Sequence, residues 1–459
     1  MEWSVLALFL GVQLAVGVWA SRRVSSEEDY LVAGRRLGVP LVTMSMFATW
    51  FGAETCLGSS GAVYQAGLSG GRADPFGYAA CLLLVGLLLA VPLHRARYLT
   101  LGDLYRDRFG RHAERVLVLV LVPGSILWGA AQLRAFGQVV ANTSHLPVTL
   151  ATVLAAAFTI VYTSFGGLWG DVLTDLVQGS VLCIGLVILL VACFLDLPSA
   201  SALDAVVTAE RLSFWPKGEA PLAQLDRWSI PIFGSLVTQE MTARVLAAKS
   251  PQVAKRGALL SAGVYLAFGI IPVLLGLVGP ALMPGLADPE QLLPELARQK
   301  LPTALYLLFA CALLSAILST VDSILLSAST LVSHNWLVPA LGIRRESNKL
   351  WLDRGLVVVA GITALYLALG ASSIYELLEQ SALMGAAGLV VTILCALYTK
   401  RPSQTGAVLA LLIGAILAPL FESWRFQAPF LLAVCGALSS YLLGARLELL
   451  WTRKSSAST

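Results

Sequence analysis

The chain has 459 residues, of which 57% are apolar and 13% are charged. Soluble domains carry about 25% charged residues, so this composition excludes an ordinary soluble protein and indicates a membrane protein. The formal net charge is +4. Because the basic residues are concentrated in the predicted loops, this charge reflects membrane topology, and we predict no nucleic-acid binding.

Apolar segments recur along the whole chain, and several exceed the roughly 18–20 residues that cross a bilayer. They lie at 3–20, 76–93, 114–129, 147–163, 181–197, 258–283, 304–318, 355–370, 384–398, 406–420 and 429–445. More polar helical stretches at 40–65, 226–243 and 319–335 bring the total to about 13 predicted transmembrane helices. The predicted fold class is therefore an all-α integral membrane protein.

The first apolar segment follows Met-Glu-Trp-Ser-Val, without the basic residues of a signal peptide, so it is predicted to be a retained helix. Lysine and arginine concentrate in alternate connections, which predicts an N-terminus outside and a cytoplasmic C-terminus. The predicted inner segments are 20–37, 93–115, 166–171, 244–256, 335–355, 399–404 and 446–459. The predicted location is the cell inner (plasma) membrane, crossed many times.

Ionisable side chains are costly at membrane depth and are functional candidates by default. Five lie within the predicted spans, namely Glu54, Arg134, Asp175, Glu240 and Asp322. Asp322 borders a stripe of small and hydroxyl residues on one helix face, formed by Ala316, Ser319, Thr320 and Ser323. A hard cation takes oxygen ligands and negative charge, so the stripe predicts a cation site. Hydroxyls bonded to carbonyls of their own helix are the alternative.

Two polar segments are predicted to interrupt helices near mid-membrane. "TWFGAETCLGSSG" (49–61) contains Gly52 and Glu54, and "WSIPIFGSLVTQEMTARV" (228–245) contains Pro231, Gly234 and Glu240. Secondary transporters place their binding sites where helices are interrupted and backbone groups face the ligand. The segments lie five predicted spans apart, as in an inverted repeat. Two kinked helices with satisfied polar groups are the alternative.

Together with "YTSFGGLWGDVLTDLVQ" (162–178), "SAILSTVDSILLSASTLV" (315–332) and "GSSGAVYQAG" (58–67), these segments make the chain resemble the sodium:solute symporter family. The resemblance implies a LeuT-type five-plus-five inverted repeat preceded by an extra N-terminal helix. The implied divisions are 1–37 (extra helix and first inner loop), 38–197 (first repeat), 198–225 (outer loop), 226–398 (second repeat) and 399–459 (two C-terminal helices and a short cytoplasmic tail).

The resemblance also implies two sodium sites. The family's main site is carried over onto backbone carbonyls of the first broken helix and onto the later hydroxyl stripe. Its residues here are Ala48, Phe51, Ala316, Ser319 and Thr320. A second site, which some relatives have, maps onto Asp175, Ser319, Asp322 and Ser323. Sodium is therefore the predicted coupling ion.

Within the family, "ATWFG", "DPFGY", "ILWGAAQLRAFG" and "ARVLAAKSP" look similar to the choline-transporter-like branch, in which aromatic rings cage a quaternary ammonium. Trp50, Tyr78 and Trp128 match cage positions, whereas Thr238 and Leu378 stand where that branch has tryptophans. Arg134 is interpreted either as a ligand for a substrate carboxylate or as a partner of a glutamate. The predicted substrate-binding residues are Trp50, Glu54, Tyr78, Trp128, Arg134, Thr238, Gln239 and Glu240.

The predicted function is a sodium-coupled secondary active symporter that imports a small polar organic solute, an amine or a zwitterion. No nucleophile elbow, phosphate loop or zinc motif is visible, so the chain is not predicted to be an enzyme. The expected partners are the solute, sodium ions and the lipid bilayer. Two alternatives remain: a proton-coupled permease of the same fold, titrating Asp175 or Asp322, and a transporter-like sensor with a separate partner. The short tail after residue 446 is expected to carry no kinase.

Overall fold

The computed structural model describes residues 2–144, 146–197, 199–216, 218–371, 377–378, 381 and 384–457, and this part of the chain is almost wholly helical. Eight of its helical segments are long and apolar enough to cross a membrane. They are Glu54–Ala96, Arg111–Ala141, Val148–Leu195, Pro251–Leu282, Thr303–Leu341, Glu346–Gly370, Gln404–Ser423 and Pro429–Trp451. The prediction of an all-α membrane fold is confirmed, while the count of about 13 crossings stays a prediction.

The α-helices that the structure describes are numbered in chain order. They are α1 (Glu2–Ser21), α2 (Glu27–Val32), α3 (Val39–Trp50), α4 (Ser59–Ala66), α5 (Tyr78–Leu84), α6 (Ala90–Ala96), α7 (Leu101–Phe109), α8 (Arg111–Ser144), α9 (Val148–Leu195), α10 (Ala200–Val206), α11 (Pro221–Ser229), α12 (Gln239–Ala247), α13 (Pro251–Leu282), α14 (Leu292–Lys300), α15 (Thr303–Val332), α16 (Val338–Leu341), α17 (Glu346–Gly370), α18 (Ala386–Tyr398), α19 (Gln404–Ser423) and α20 (Pro429–Ala457). Wide helical turns at Glu54–Gly58 and Ile230–Gly234 lie beside the two predicted breaks.

Both predicted helix breaks are present. After α3 the backbone of Phe51 turns out of the helical region, with φ −86° and ψ 67°, and helical structure resumes at Glu54. The second break separates the wide turn that ends at Gly234 from α12. Thr238 caps α12, since its side chain accepts a hydrogen bond from the Met241 amide at 3.3 Å. A helix end leaves carbonyls or amides without partners in their own helix, so each break frees backbone groups inside the bundle.

The buried helix α15 forms the centre of the bundle. It packs against α9, α8, α17 and α3. Every residue from Phe309 to Leu331 is buried, including its hydroxyls and the carboxylate of Asp322. A helix buried on all sides must satisfy its polar groups inside the protein, because unpaired polar groups are costly there. The polar stripe predicted on this helix therefore faces other helices and not lipid.

Helix α9 is long because two helical parts join across a break at Gly167. It has 48 residues, and Gly167 adopts φ +52° and ψ −157°, which is glycine-specific backbone. The break falls within the connection that the sequence predicts at 166–171. A Cβ atom on Gly167 would lie 2.6 Å from Cδ2 and 2.9 Å from the carbonyl oxygen of Tyr30. The position therefore requires both the conformation and the small size of glycine.

Gly167→Ala should destabilise the protein by about 2 kcal/mol or more, because the conformation is strained for alanine and the methyl group collides with Tyr30. Gly170→Ala is the matched control on the same helix, since its Cβ would come no closer than 3.9 Å to Ala20 Cβ. The measurement is the thermal unfolding midpoint of both purified variants in detergent. Equal midpoints for the two variants would contradict this account of the break.

Candidate substrate and sodium sites

The first helix break carries a carboxylate that is held by neutral donors. Trp128 Nε1 donates to Glu54 Oε1 at 3.0 Å, and Gln132 Nε2 donates to Glu54 Oε2 at 2.5 Å. Trp128 and Gln132 are four residues apart on α8 and so share one face of that helix. No lysine or arginine of the described residues forms an ion pair with Glu54. A cation from outside the chain can therefore complete this site.

A second carboxylate, which the sequence analysis did not single out, lies next to this break. Asp74 is buried and accepts a hydrogen bond from Thr55 Oγ1 at 2.6 Å. The Tyr265 hydroxyl lies 3.1 Å from Asp74 Oδ1 and 3.1 Å from the Trp50 carbonyl oxygen. Within the described part of the chain Asp74, like Glu54, has no basic partner. The region around the break therefore carries two carboxylates held by neutral groups.

The three aromatic residues predicted as cage positions are brought to the same place. The rings of Trp50 and Tyr78 meet with centroids 5.8 Å apart and planes tilted by 60°, and Trp128 joins them through its bond to Glu54. Glu54, Tyr78 and Trp128 are each partly exposed although they lie among buried residues, so they border an accessible space. Trp50 Nε1 is buried and has no hydrogen-bond partner among the described residues.

The predicted residues of the second broken helix have other contacts. Glu240 is buried, and Ser125 Oγ donates to its Oε1 at 3.4 Å. Thr238 serves as the cap of α12, as described above. Gln239 Oε1 accepts a hydrogen bond from the Leu101 amide at 2.8 Å, so this amide side chain ties α12 to the start of α7. The structure thus brings Trp50, Glu54, Tyr78 and Trp128 together, but it gives Thr238 and Gln239 backbone partners.

Arg134 points toward α17. Its Nη1 donates to the Ala368 carbonyl oxygen at 3.0 Å. Neither Glu54 nor Glu240 is among the ion-pair partners of basic residues in the described chain, so the pairing considered for Arg134 with either glutamate is absent. That pairing is not formed, because Arg134 follows Gln132 by two residues and so lies on the other side of α8. The interpretation of Arg134 as a ligand for a substrate carboxylate stays a prediction.

Of the residues predicted for the main sodium site, Thr320 lies beside the first break, and α3 and α15, which carry most of the others, pack against each other. Ala48 lies in the last turn of α3 and Phe51 follows it, and the final turn of a helix leaves its carbonyls without helical partners. A Cβ atom on Gly52 would lie 2.8 Å from Thr320 Oγ1 and 2.8 Å from Glu54 Oε2. The distance between Thr320 Oγ1 and Glu54 Oε2 therefore cannot exceed the sum of these two distances. The proposed sodium ligands adjoin the carboxylate of the substrate region.

Three aspartates, here named the aspartate cluster, surround a buried arginine. The carboxylate oxygens of Asp171, Asp175 and Asp322 lie within 4.8 Å of one another. Arg244 is 0% exposed, and its Nη2 lies 2.7 Å from Asp171 Oδ2 and 3.3 Å from Asp175 Oδ2. Arg244 begins the predicted inner segment 244–256, but its side chain is buried among the helices instead of facing solvent. The assignment of that segment to the inner side stays a prediction.

Serine hydroxyls connect Arg244 to Asp175. Ser45 Oγ donates to Asp175 Oδ2 at 2.5 Å and accepts from Arg244 Nε at 2.9 Å. Ser319, a predicted ligand of both sodium sites, donates its hydroxyl to Asp175 Oδ1. The oxygens of Asp175 therefore already accept from two hydroxyls and a guanidinium group.

The other two aspartates are also held by hydroxyl groups. Ser323 Oγ accepts from Arg244 Nη2 at 2.5 Å and donates to Asp171 Oδ1 at 2.9 Å. The Tyr162 hydroxyl donates to Asp322 Oδ2 at 2.6 Å. Asp171, which ends the predicted inner segment 166–171, is buried and paired with Arg244.

The sequence of this chain matches a known protein family and is similar to transporters from several organisms. The sodium:solute symporter family matches residues 30–414. High-affinity choline transporter 1 of Drosophila melanogaster is 29% identical over 81% of this chain, and the alignment spans only 62% of that relative. The human high affinity choline transporter 1 is 26% identical over 90% of this chain and 75% of the relative. A sodium/pantothenate symporter of Escherichia coli (strain K12) is 26% identical over 96% of this chain and 95% of the relative.

Solved structures agree on the fold. A Na⁺-coupled sialic acid symporter in a substrate-bound outward-open state superposes with a TM-score of 0.86 at 17% identity, covering 97% of each chain. A nucleobase-cation-symport-1 family transporter in a closed conformation gives a TM-score of 0.62 at 16% identity, covering 93% of this chain and 95% of that one. The family match extends over most of the chain, and the helix breaks and the bundle agree with it. The chain belongs to the sodium:solute symporter family, whose members are membrane transporters and not enzymes and in which sodium is the coupling ion.

Proposed function

We propose that this sodium-coupled symporter imports a small organic cation that carries at least one N–H group, as an amine or as a zwitterion. The observation that carries the proposal is the carboxylate of Glu54, which borders an accessible space and, within the described residues, accepts side-chain hydrogen bonds from the neutral donors Trp128 and Gln132. A carboxylate in a low-dielectric site gains most from a cation that also donates a hydrogen bond. Asp74 adds a second acidic group beside the same helix break.

The aromatic residues support a cationic substrate and refine its class. Trp50 and Tyr78 are in contact and Trp128 bonds to Glu54, and a cation is attracted to the face of an aromatic ring. The relatives named as choline transporters suggest the same charge, since choline is a quaternary ammonium. A quaternary nitrogen has no N–H to donate to Glu54, however, and Thr238 and Leu378 replace two tryptophans of that branch. Hydrogen bonding to Glu54 therefore favours an amine over choline.

The buried Nε1–H group of Trp50, which has no hydrogen-bond partner among the described residues, supports a substrate that also carries an acceptor oxygen. Buried polar groups are nearly always paired, so an unpaired buried donor beside a proposed binding site is a candidate ligand contact. A substrate with a hydroxyl or carboxylate oxygen near its ammonium group would satisfy it. A zwitterion or an amino alcohol meets both requirements.

Sodium coupling follows from the proximity of the two proposed sites. The proposed ion ligands are the carbonyls of Ala48, Phe51 and Ala316 with the hydroxyls of Ser319 and Thr320. Thr320 Oγ1 and Glu54 Oε2 both approach the same side of Gly52. A sodium ion at the end of α3 would fix the broken backbone that carries Glu54, and so would favour the conformation that binds substrate.

The proposed orientation places the N-terminus outside and the C-terminus in the cytoplasm of the cell inner (plasma) membrane. The excess of lysine and arginine in alternate connections supports it. We assign the two repeats to 38–197 and 226–398, because each contains one of the two helix breaks in its first transmembrane part. Import is then driven by the inward sodium gradient.

The proposal is tested by uptake into proteoliposomes under an inward sodium gradient. The panel contains primary amines, amino acids, amino alcohols, choline, carboxylic acids without nitrogen, and sugars. We expect sodium-dependent uptake of an N–H cation or zwitterion, with choline transported less well. Transport of a neutral sugar or a simple carboxylate, with no amine accepted, would overturn the proposed substrate class.

A further inference from the structure

The two acids at the first helix break differ in the groups that hold them. Glu54 lies against N–H groups, whereas Asp74 lies against hydroxyl groups. We propose that Glu54 is ionised while Asp74 binds a proton, and that this proton begins a chain of hydrogen bonds that ends on the backbone of α3. This inference goes beyond the proposed substrate and does not depend on it.

The neighbours of Glu54 can donate hydrogen bonds to it but cannot accept one from it. Trp128 Nε1 lies 3.0 Å from Glu54 Oε1, and an indole N–H group is a donor only. Gln132 Nε2 lies 2.5 Å from Glu54 Oε2, and this amide is held in that orientation because its Oε1 accepts from the Ala53 amide at 3.1 Å. A proton on Glu54 would find no acceptor in these two contacts, so they fit an ionised carboxylate.

The neighbours of Asp74 form a series of oxygen atoms that lacks one proton when Asp74 is ionised. Asp74 Oδ2 lies 2.6 Å from Thr55 Oγ1, which lies 2.8 Å from the Tyr265 hydroxyl. That hydroxyl lies 3.1 Å from the Trp50 carbonyl oxygen. These three contacts need three protons, and the two hydroxyl groups supply only two. If both hydroxyls donate to an ionised Asp74, no proton lies between them and the Trp50 carbonyl loses this donor.

A proton on Asp74 satisfies all three contacts. The carboxyl O–H group donates to Thr55, the Thr55 hydroxyl donates to Tyr265, and the Tyr265 hydroxyl donates to the Trp50 carbonyl. The bond between Thr55 and Asp74 then runs in the direction opposite to that given above for an ionised carboxylate. Trp50 is the last residue of α3, so the proton on Asp74 supports the backbone at the first break.

The charges around Asp74 favour the same assignment. Asp74 is 5% exposed and forms no ion pair with a basic residue of the described chain. The titratable groups that face it are Glu54, Cys56, Tyr78 and Tyr265. None of these groups carries a positive charge, and ionising two neighbouring buried carboxyl groups is costly. With Glu54 ionised, Asp74 is the group that keeps its proton.

The charged residues on the turn 72–77 and on the helices α11 and α13 packed against it do not compensate Asp74. They are Arg72 on the turn, Asp226 and Arg227 on α11, and Lys255 and Arg256 on α13. Arg72 and Arg227 both pair with Glu219, at 2.7 and 2.9 Å. Asp226 accepts from two backbone amides. The basic residues of α13 lie at least about two and a half helical turns before Tyr265.

Infrared difference spectroscopy of the purified full-length protein tests the assignment, because protonated and ionised carboxyl groups absorb in separate bands. Subtracting the spectrum of Asp74→Asn from that of the wild type should leave the carbonyl band of a protonated acid. Glu54→Gln is the matched comparison, and its difference spectrum should show the bands of an ionised carboxylate. We expect Asp74→Asn to fold, since its Nδ2–H group can donate to Thr55 in place of the acid.

The pH dependence of stability is an independent measurement. An aspartate in water is ionised above about pH 5, so a proton held by Asp74 in the folded protein is released on unfolding. The unfolding equilibrium constant of the wild type should therefore rise with pH, by up to about tenfold per pH unit from this group. Asp74→Asn lacks this contribution, so its thermal unfolding midpoint should fall less steeply as pH rises.

An Asp74→Asn difference spectrum with only the bands of an ionised carboxylate would overturn the proposal, and so would parallel pH profiles of the wild type and this variant. If Asp74→Asn does not fold, Thr55→Val takes its place, because losing the hydroxyl changes the hydrogen bonding of Asp74. A protonated Asp74 then shifts its acid carbonyl band, whereas a change in carboxylate bands alone overturns the proposal. Neither measurement uses a substrate, so failure here leaves the proposed amine substrate untouched.

Discussion

Replacing Glu54 with glutamine should raise the apparent dissociation constant of the substrate about tenfold to a hundredfold, which corresponds to about 1.4–2.8 kcal/mol. The range follows from the loss of a charge-assisted hydrogen bond, worth about 1.5–3 kcal/mol. The substitution keeps the shape of the side chain, and its carbonyl oxygen can still accept from Trp128. Substrate titration of the purified variant at saturating sodium measures the effect.

Glu54→Asp is the companion variant, because it keeps the charge and shortens the reach of the side chain. It should retain more affinity than Glu54→Gln, and both variants should unfold within a few degrees of wild type. No described basic residue pairs with Glu54, so neutralising it leaves no buried cation behind. Unchanged substrate affinity together with a large loss of thermal stability would assign Glu54 a structural role.

The two helix breaks were predictable because their causes are local. Gly52 follows the last turn of α3, and Pro231 and Gly234 precede α12, and both residue types weaken a helix. A carboxylate near each break then indicated a functional region. Local backbone chemistry and the cost of charge in a membrane sufficed for this part of the site.

Arg244 could not be placed from sequence because its environment is created by distant segments. It follows Glu240 by one helical turn and begins a stretch with further basic residues, so loop counting assigned it to the inner surface. The sequence did contain an indication that a cation is needed here. Asp171 and Asp175 share a helix face, and no basic residue lies nearby in sequence. Such a pair requires a cation, and both an ion and an arginine satisfy that requirement.

Asp74 and Gln132 were missed for a related reason. Asp74 lies within "DPFGY", where the sequence analysis used the segment only as part of a resemblance. Gln132 stands one helical turn after Trp128, so its position on the face of Trp128 was readable once Trp128 was chosen. Their convergence on the first break depends on how Gln132 on α8 and Asp74 pack against the wide turn at Glu54–Gly58, which the sequence does not specify.

Removing two hydroxyls from the main sodium site should weaken sodium binding at least tenfold, about 1.4 kcal/mol. The change is Ser319→Ala combined with Thr320→Ala, which leaves only backbone carbonyls as proposed ligands. Ser329→Ala with Thr330→Ala is the matched control, a second buried Ser–Thr pair on α15. Ser329 donates to the Leu326 carbonyl of its own helix at 2.9 Å. Sodium-dependent thermal stabilisation, measured against potassium, compares the two pairs.

The variants Thr320→Ala and Ser319→Ala, made one at a time, distinguish effects on the proposed main sodium site from effects on the aspartate cluster. Thr320 Oγ1 approaches Gly52 and donates to the Ala316 carbonyl at 3.2 Å, so Thr320→Ala should lower sodium affinity without disturbing Arg244. Ser319 also donates to Asp175, so Ser319→Ala should lower both sodium affinity and thermal stability. If the double variant retained wild-type sodium dependence, these hydroxyls would not be sodium ligands. The coupling ion would then have to bind elsewhere, and the link from sodium to Glu54 through the end of α3 would be lost.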